Sequence, residues 1–143
     1  MKRSLSVMAA LIAALLSIDG SRAQNVEDGE NVFKKCRACH RVGPDAVNAV
    51  GPVLNGVIGR SAGTAASYQY SELVKAAGQG GLVWSEERIF AYLADPSNYL
   101  KKFVEEKGQG DAAKGATKMV FKLADEQDRK DVIAYLKQFS PAK

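Results

Sequence analysis

Apolar residues recur at helical spacing in five stretches of the chain, and none of its segments alternates strictly enough to mark a strand. Val32, Phe33 and Cys36 share one face of a first helix predicted over 27–38, with Asp28 and Glu30 near its positive end. Residues 71–77 read as a short helix stopped by Gly78, and Gly78 to Gly81 read as a turn. Ser85 is placed to cap a helix carrying Glu86 and Glu87 in its first turn and Ile89, Tyr92 and Leu93 on its inner face. Asp95 ends that helix and caps the next, with Pro96 at the first helical position and Tyr99, Leu100, Phe103 and Val104 inside. Asp125 caps a last helix bearing Val132, Ile133, Tyr135, Leu136 and Phe139, with Pro141 beyond it. The fold class predicted is all-α, four to five helices with long loops. Two stretches lack such a pattern: 41–69, which glycine and proline interrupt too often for regular structure, and the polar segment 105–115. Structureless stretches as long as 41–69 are uncommon in compact domains and usually functional.

The first residues follow a different logic. Lys2 and Arg3 precede an apolar run from Leu5 to Leu16, and Ser21-Arg22-Ala23 offers small residues at the two positions a signal peptidase requires. The run is too short to span a bilayer, which takes about 20 residues. Residues 1–23 therefore read as a secretory signal cut after Ala23, leaving a single domain over 24–143 in the periplasm. Removing the signal lowers the formal charge from +4 to +2, because Lys2, Arg3, Arg22 and Asp19 leave with it. Neither value makes the dense basic stripe of a nucleic-acid-binding protein, so no nucleic-acid partner is expected. Two cysteines and one histidine are too few for a zinc site made of Cys and His alone, and they exclude a multi-disulfide scaffold.

Those three residues are adjacent. Cys36-Arg37-Ala38-Cys39-His40 is C-x-x-C-H, the attachment signature of a c-type haem. Two thiols three residues apart at a helix end can reach both vinyl groups on one side of a porphyrin, and the next residue then lies beneath the iron. A thioredoxin-like dithiol is a weaker reading without a βαβ pattern, and a disulfide closing so small a loop gains little. Both leave His40 unexplained. With His40 as proximal ligand, Met119 is the only histidine or methionine left in the processed chain to bind from the other side. The plainer alternative is that Met119 fills core space. A His/Met pair leaves no open iron position and suits electron transfer.

Together these features resemble the class I c-type cytochromes, most closely the longer bacterial cytochromes c2. Gly51-Pro52-Val53-Leu54-Asn55-Gly56-Val57-Ile58-Gly59-Arg60, Tyr92 to Pro96, Lys118 to Phe121 and Val132 to Lys137 each match a family segment, in order. The resemblance implies one covalent haem c and a role as one-electron carrier rather than enzyme. It implies that the Pro52 carbonyl accepts from the His40 ring, that Tyr70 and Trp84 bind a haem propionate, and that Arg60 compensates its charge. Tyr92 is expected near the Met119 sulfur, Thr117 at a propionate, and Gly29 and Phe33 against Tyr135. Its partners would be a cytochrome bc-type complex as donor and a photosynthetic reaction centre or terminal oxidase as acceptor, met by a monomer in transient contacts. Lys34, Lys35, Lys101, Lys114, Lys118 and Lys122 are candidates for the docking ring, Lys35 and Lys118 first. A dedicated acceptor of a periplasmic dehydrogenase, or a small-ligand sensor with a labile Met119, are the alternatives. Val74 departs from the polar residue of mitochondrial relatives, Gly115 from their proline, and 105–113 is an insertion.

Overall fold

Asn25 opens the first helix by accepting hydrogen bonds from the backbone N–H groups of Glu27 and Asp28. The computed structural model describes residues 23–141, so all of the expected signal segment 1–23 except Ala23 lies outside the described residues. Five α-helices follow in order: α1 Val26–Cys36, α2 Glu72–Gln79, α3 Glu86–Ala94, α4 Pro96–Glu106 and α5 Glu126–Lys137. A single 3₁₀ turn at Ala112–Lys114 separates α4 from α5. No helix of the described residues is long and apolar enough to cross a membrane.

Short polar side chains start the other helices, as expected at Ser85, Asp95 and Asp125, while Ser71, expected inside its helix, is the cap before Glu72. Ser71, Ser85, Asp95 and Asp125 each accept from a backbone N–H three residues on, satisfying donors a helix start otherwise leaves free.

Three expectations need correction. The first helix starts at Val26, because its cap is Asn25, and ends at Cys36, with Arg37 as its C-terminal cap. Helix α2 continues through Gly78 to Gln79. Gly78 is there for packing: a Cβ on it would lie 2.2 Å from the Ala62 carbonyl oxygen. The polar stretch 105–115 is also not all loop, since α4 runs to Glu106 and the 3₁₀ turn buries Ala113.

Two apolar clusters support the fold. Val32 and Phe33 of α1, Ile89 and Leu93 of α3, Leu123, and Val132, Ile133, Tyr135 and Leu136 of α5 form one. Leu73, Val74 and Ala77 of α2, Leu82, Leu100 and Val104 of α4, and Ala113 form the other. Trp84 and Tyr92 pack against both. Each fully buried large aliphatic side chain stabilises by about 1.5–3 kcal/mol.

Helices α1 and α5 cross at Gly29, where a Cβ would stand 2.0 Å from the Asp131 carbonyl oxygen. Phe33, 1% exposed, meets the Tyr135 ring there at 5.3 Å between centroids. The long segment 41–69 has no helix, but long-range backbone bonds hold it. Gly56 N–H donates to Phe139, Gly59 N–H to Trp84, Trp84 N–H to Arg60 and Ala62 N–H to Leu82, at 2.7–2.9 Å. An isolated antiparallel bridge pairs Ser61 with Val83.

Candidate functional site

Helix α1 stops at Cys36, and the next turn closes through Cys39 N–H and His40 N–H, both donating to the Cys36 carbonyl at 3.0 and 2.9 Å. That turn brings Cys36, Cys39 and His40 onto the wall of a largely apolar cavity of about 290 Å³. Both cysteines are free thiols. Burial pushes the Cys36 thiol up to about 11, so it is protonated at neutral pH. That is the opposite of an activated redox thiolate, and it weighs against a dithiol oxidoreductase.

The His40 ring is oriented from two directions. Its Nδ1 lies 2.8 Å from the Pro52 carbonyl oxygen. A carbonyl only accepts, so Nδ1 carries the proton and Nε2 holds a free lone pair. Burial lowers the His40 pKa, the Pro52 bond opposes this, and Arg60 and Arg41 lower it further. A neutral imidazole with a fixed tautomer is the form that binds a metal. Gly51 packs against the ring: a Cβ there would stand 2.5 Å from His40 Cε1. Only a glycine lets the loop pass this close.

Met119 reaches the same cavity on the extended segment between the 3₁₀ turn and α5. The Tyr92 hydroxyl of α3 donates to Met119 Sδ at 3.4 Å. Burial raises Tyr92 to about 12, and Thr117 opposes the shift through a hydrogen bond. The Thr117 oxygen also accepts from Met119 N–H at 3.3 Å, so this hydroxyl is occupied with its own segment as well as facing the cavity.

Arg60, Tyr70 and Trp84 line the cavity too. Arg60 donates to the Val53 and Asn55 carbonyls at 3.1 and 3.2 Å, and no carboxylate pairs with it among the described residues. Burial lowers its pKa. The Tyr70 hydroxyl accepts from Ala65 N–H at 3.2 Å and keeps its own proton to donate. Trp84 stacks near Tyr92 and Tyr99.

Sequence reasoning left out Tyr68, which lines the cavity, donates to the Val50 carbonyl at 2.8 Å and meets the Tyr70 ring edge-on at 4.8 Å. The spacing of two tyrosines in a glycine-rich loop was the available signal. In the sequence Gly51 stands only as part of a motif, and nothing there marks it as the backing of His40.

The cavity rim is exposed and apolar, with Val120 84% exposed beside Val50 and Phe121. Lys35 and Lys118 also border it. Lys35 pairs with Asp128 of α5 at 3.0 Å. Lys118 donates to the Gln69 carbonyl and lies 5.4 Å from the Tyr68 ring centre. Of the other candidate lysines, Lys114 pairs with Asp111 and Lys122 with Asp95. Lys34 donates to Asn31.

These residues fit a haem: two free thiols, an imidazole with a free Nε2, a thioether sulfur, and a guanidinium with no carboxylate partner among the described residues, around one apolar cavity. A planar apolar macrocycle with acidic side chains satisfies all of them, whereas a bare metal ion leaves the apolar wall and Arg60 without purpose.

The comparisons agree with this chemistry. The cytochrome c family model matches residues 26–140. Cytochrome c2 iso-2 of Rhodospirillum centenum is 65% identical over 113 residues, covering 79% of this chain and 93% of that protein. Cytochrome c2 of Rhodopseudomonas palustris is 52% identical over 136 residues, covering 94% and 96%. The solved cytochrome c2 of Rhodospirillum centenum superposes with a TM-score of 0.81 at 62% identity, covering 82% of this chain and 99% of that one. The chain belongs to the cytochrome c family, with the class I fold and a cytochrome c2 likeness throughout. It is an electron-transfer protein rather than an enzyme, and its cofactor is one covalently attached haem c.

Proposed function

We propose that Cys36 and Cys39 hold the haem as thioethers, that His40 Nε2 and Met119 Sδ are its two axial ligands, and that the chain shuttles single electrons in the periplasm. The haem supplies the Fe(II)/Fe(III) couple. The observation that carries the reading is the neutral His40 ring, fixed by Pro52, facing the same cavity as a methionine sulfur held by Tyr92.

The chain's own residues do the rest. Pro52 keeps Nε2 unprotonated, and Gly51 sets how deeply the ring sits. The Tyr92 bond orients the sulfur lone pairs. Arg60, Tyr70 and Trp84 receive the propionates, and Arg60 offsets their charge in a partly buried setting. Thr117 contributes there secondarily, since its oxygen already serves Met119 N–H. The apolar wall excludes water and so keeps reorganisation small.

Electrons leave at the rim, where Val50, Val120 and Phe121 offer a small apolar contact and Lys118 a positive charge, with Lys35 beside it in its pair with Asp128. Such a surface suits brief encounters with acidic partners. The proposed donor is a cytochrome bc-type complex and the acceptor a reaction centre or terminal oxidase. The signal-like residues 1–23 support export with cleavage after Ala23, and a monomer is the proposed carrier.

The test is expression with a competent c-type maturation system. The mass of the secreted protein should equal residues 24–143 plus one haem, and Cys36→Ser with Cys39→Ser should lose the covalent group. Electron exchange with an acidic redox partner should slow with added salt and with Lys118→Glu. A secreted protein without covalent haem would overturn the thioether assignment. Salt-independent exchange would overturn the docking assignment.

A further inference from the structure

Helix α5 buries a charge in the middle of its polar sequence. Arg129 is 6% exposed, and its Nη1 donates to two successive carbonyls, Leu123 at 2.8 Å and Ala124 at 2.7 Å. Its guanidinium carbon lies 4.4 Å from the centre of the Phe90 ring of α3. The Nε has no partner. The side chain is therefore committed to these two carbonyls and one ring, even though one donor goes unsatisfied.

Those carbonyls end the segment that carries Met119. Leu123 is held from the other side as well, because its N–H donates to the Leu93 carbonyl of α3 at 2.8 Å. Between Met119 and Leu123 there is little else. Val120 and Phe121 are exposed. The Lys122–Asp95 pair is also exposed, and exposed pairs contribute little. A buried guanidinium on two carbonyls makes charge-assisted bonds, the stronger kind.

We infer that Arg129 is a positioning residue for the sixth ligand: by clamping Leu123 and Ala124 between α5 and α3, it sets how readily the Met119 segment lifts from the iron. The inference rests on the proposed Met119 ligation and goes beyond it by assigning the lability of that ligand to a residue that does not touch the haem.

The experiment compares haem-loaded wild type, Arg129→Gln and Leu100→Ala, the last destabilising the other apolar cluster. Exogenous imidazole is titrated as a competitor for the Met119 position, and amide exchange of Leu123 is followed. Arg129→Gln should bind imidazole about tenfold tighter, as expected when much of one charge-assisted bond's contribution is lost. Its Leu123 amide should exchange faster to a similar degree. Leu100→Ala should lower global stability and leave imidazole binding within twofold of wild type.

Equal shifts in both variants, or no shift in Arg129→Gln, would overturn the inference. If Arg129→Gln does not accumulate with haem, Arg129→Lys and Phe90→Leu take its place. Each keeps part of the clamp and should tighten imidazole binding by about threefold; wild-type behaviour in both would overturn the inference. If wild type itself lacks the sulfur-to-iron charge-transfer band, Met119 ligation fails. Leu123 exchange then still tests the clamp, and an unchanged rate in the Arg129 variants overturns it.

Discussion

Placing a single methyl group at position 29 tests whether the crossing of α1 and α5 is as close as it looks. A Cβ on Gly29 would lie 2.0 Å from the Asp131 carbonyl oxygen, 2.6 Å from its carbon and 2.9 Å from Tyr135 Cβ. An ordinary C···O contact is about 3.3 Å, so the helices must part by about 1 Å. Two of the three obstructing atoms are backbone and cannot swing aside. The separation loosens Phe33 against Tyr135 at 5.3 Å and the buried Val132 and Ile133 behind them. Overpacking costs about 1–3 kcal/mol, and a backbone clash belongs at the upper end. Alanine regains about 1 kcal/mol over glycine in a helix. The net for Gly29→Ala is a loss of about 2 kcal/mol, or about 8 °C in Tm for a chain of this size. Urea unfolding of the haem-loaded protein measures it, with Gly110→Ala as control, since a Cβ at Gly110 meets nothing within 4 Å. The control should stay within about 0.5 kcal/mol of wild type. A Gly29→Ala protein as stable as wild type would refute the reasoning, because helix propensity would then outweigh the crossing.

Gly51→Ala should tilt the His40 ring and weaken its bond to Pro52, seen as broadened or shifted imidazole signals in the NMR spectrum of the reduced protein and a loss of about 2 kcal/mol in stability. Arg60→Gln should lower the reduction potential by about 60 mV, a tenfold change in a one-electron equilibrium, because removing a nearby positive charge favours the oxidised iron; an unchanged potential in a redox titration would place Arg60 outside the field of the haem. Lys122 and the Asn98 N–H hold the Asp95 carboxyl below its usual value, with the Lys122 bond the larger cause. Between the ordinary carboxylate value and the lower folded one the unfolded chain binds more protons, so this contribution is present above the ordinary carboxylate range and lost as pH falls through the folded value; Asp95→Asn should flatten that part of the stability profile.

Local signals made most helices legible. Ser71, Ser85, Asp95 and Asp125 are short polar residues ahead of helical patterns, and all four cap the helix that follows. Gly78 reads as a helix stop, because a glycine that ends a helix and one that admits a neighbouring carbonyl look the same in one dimension. Arg129 and Asp131 were hidden in the run Glu126-Gln127-Asp128-Arg129-Lys130-Asp131, which reads as a solvated face. Their burial depends on distant partners: Asp131, 3% exposed, accepts from Asn25 N–H at 2.7 Å across the α1–α5 crossing. The residues gathered at the cavity were legible as types, through C-x-x-C-H and the scarcity of histidine and methionine. The Tyr92–Met119 approach came from family likeness, and the Gly51 backing of His40 needed coordinates.

The spectrum of the haem-loaded protein tests the ligand assignment most directly. It should be recorded in the visible and near-infrared, oxidised and reduced, with and without carbon monoxide, for wild type and Met119→Ala. Wild type should be low-spin, show the weak sulfur-to-iron band and ignore carbon monoxide, and Met119→Ala should lose the band and bind it. A high-spin wild type that takes up carbon monoxide, or a band that survives Met119→Ala, would contradict His40 and Met119 as the axial pair.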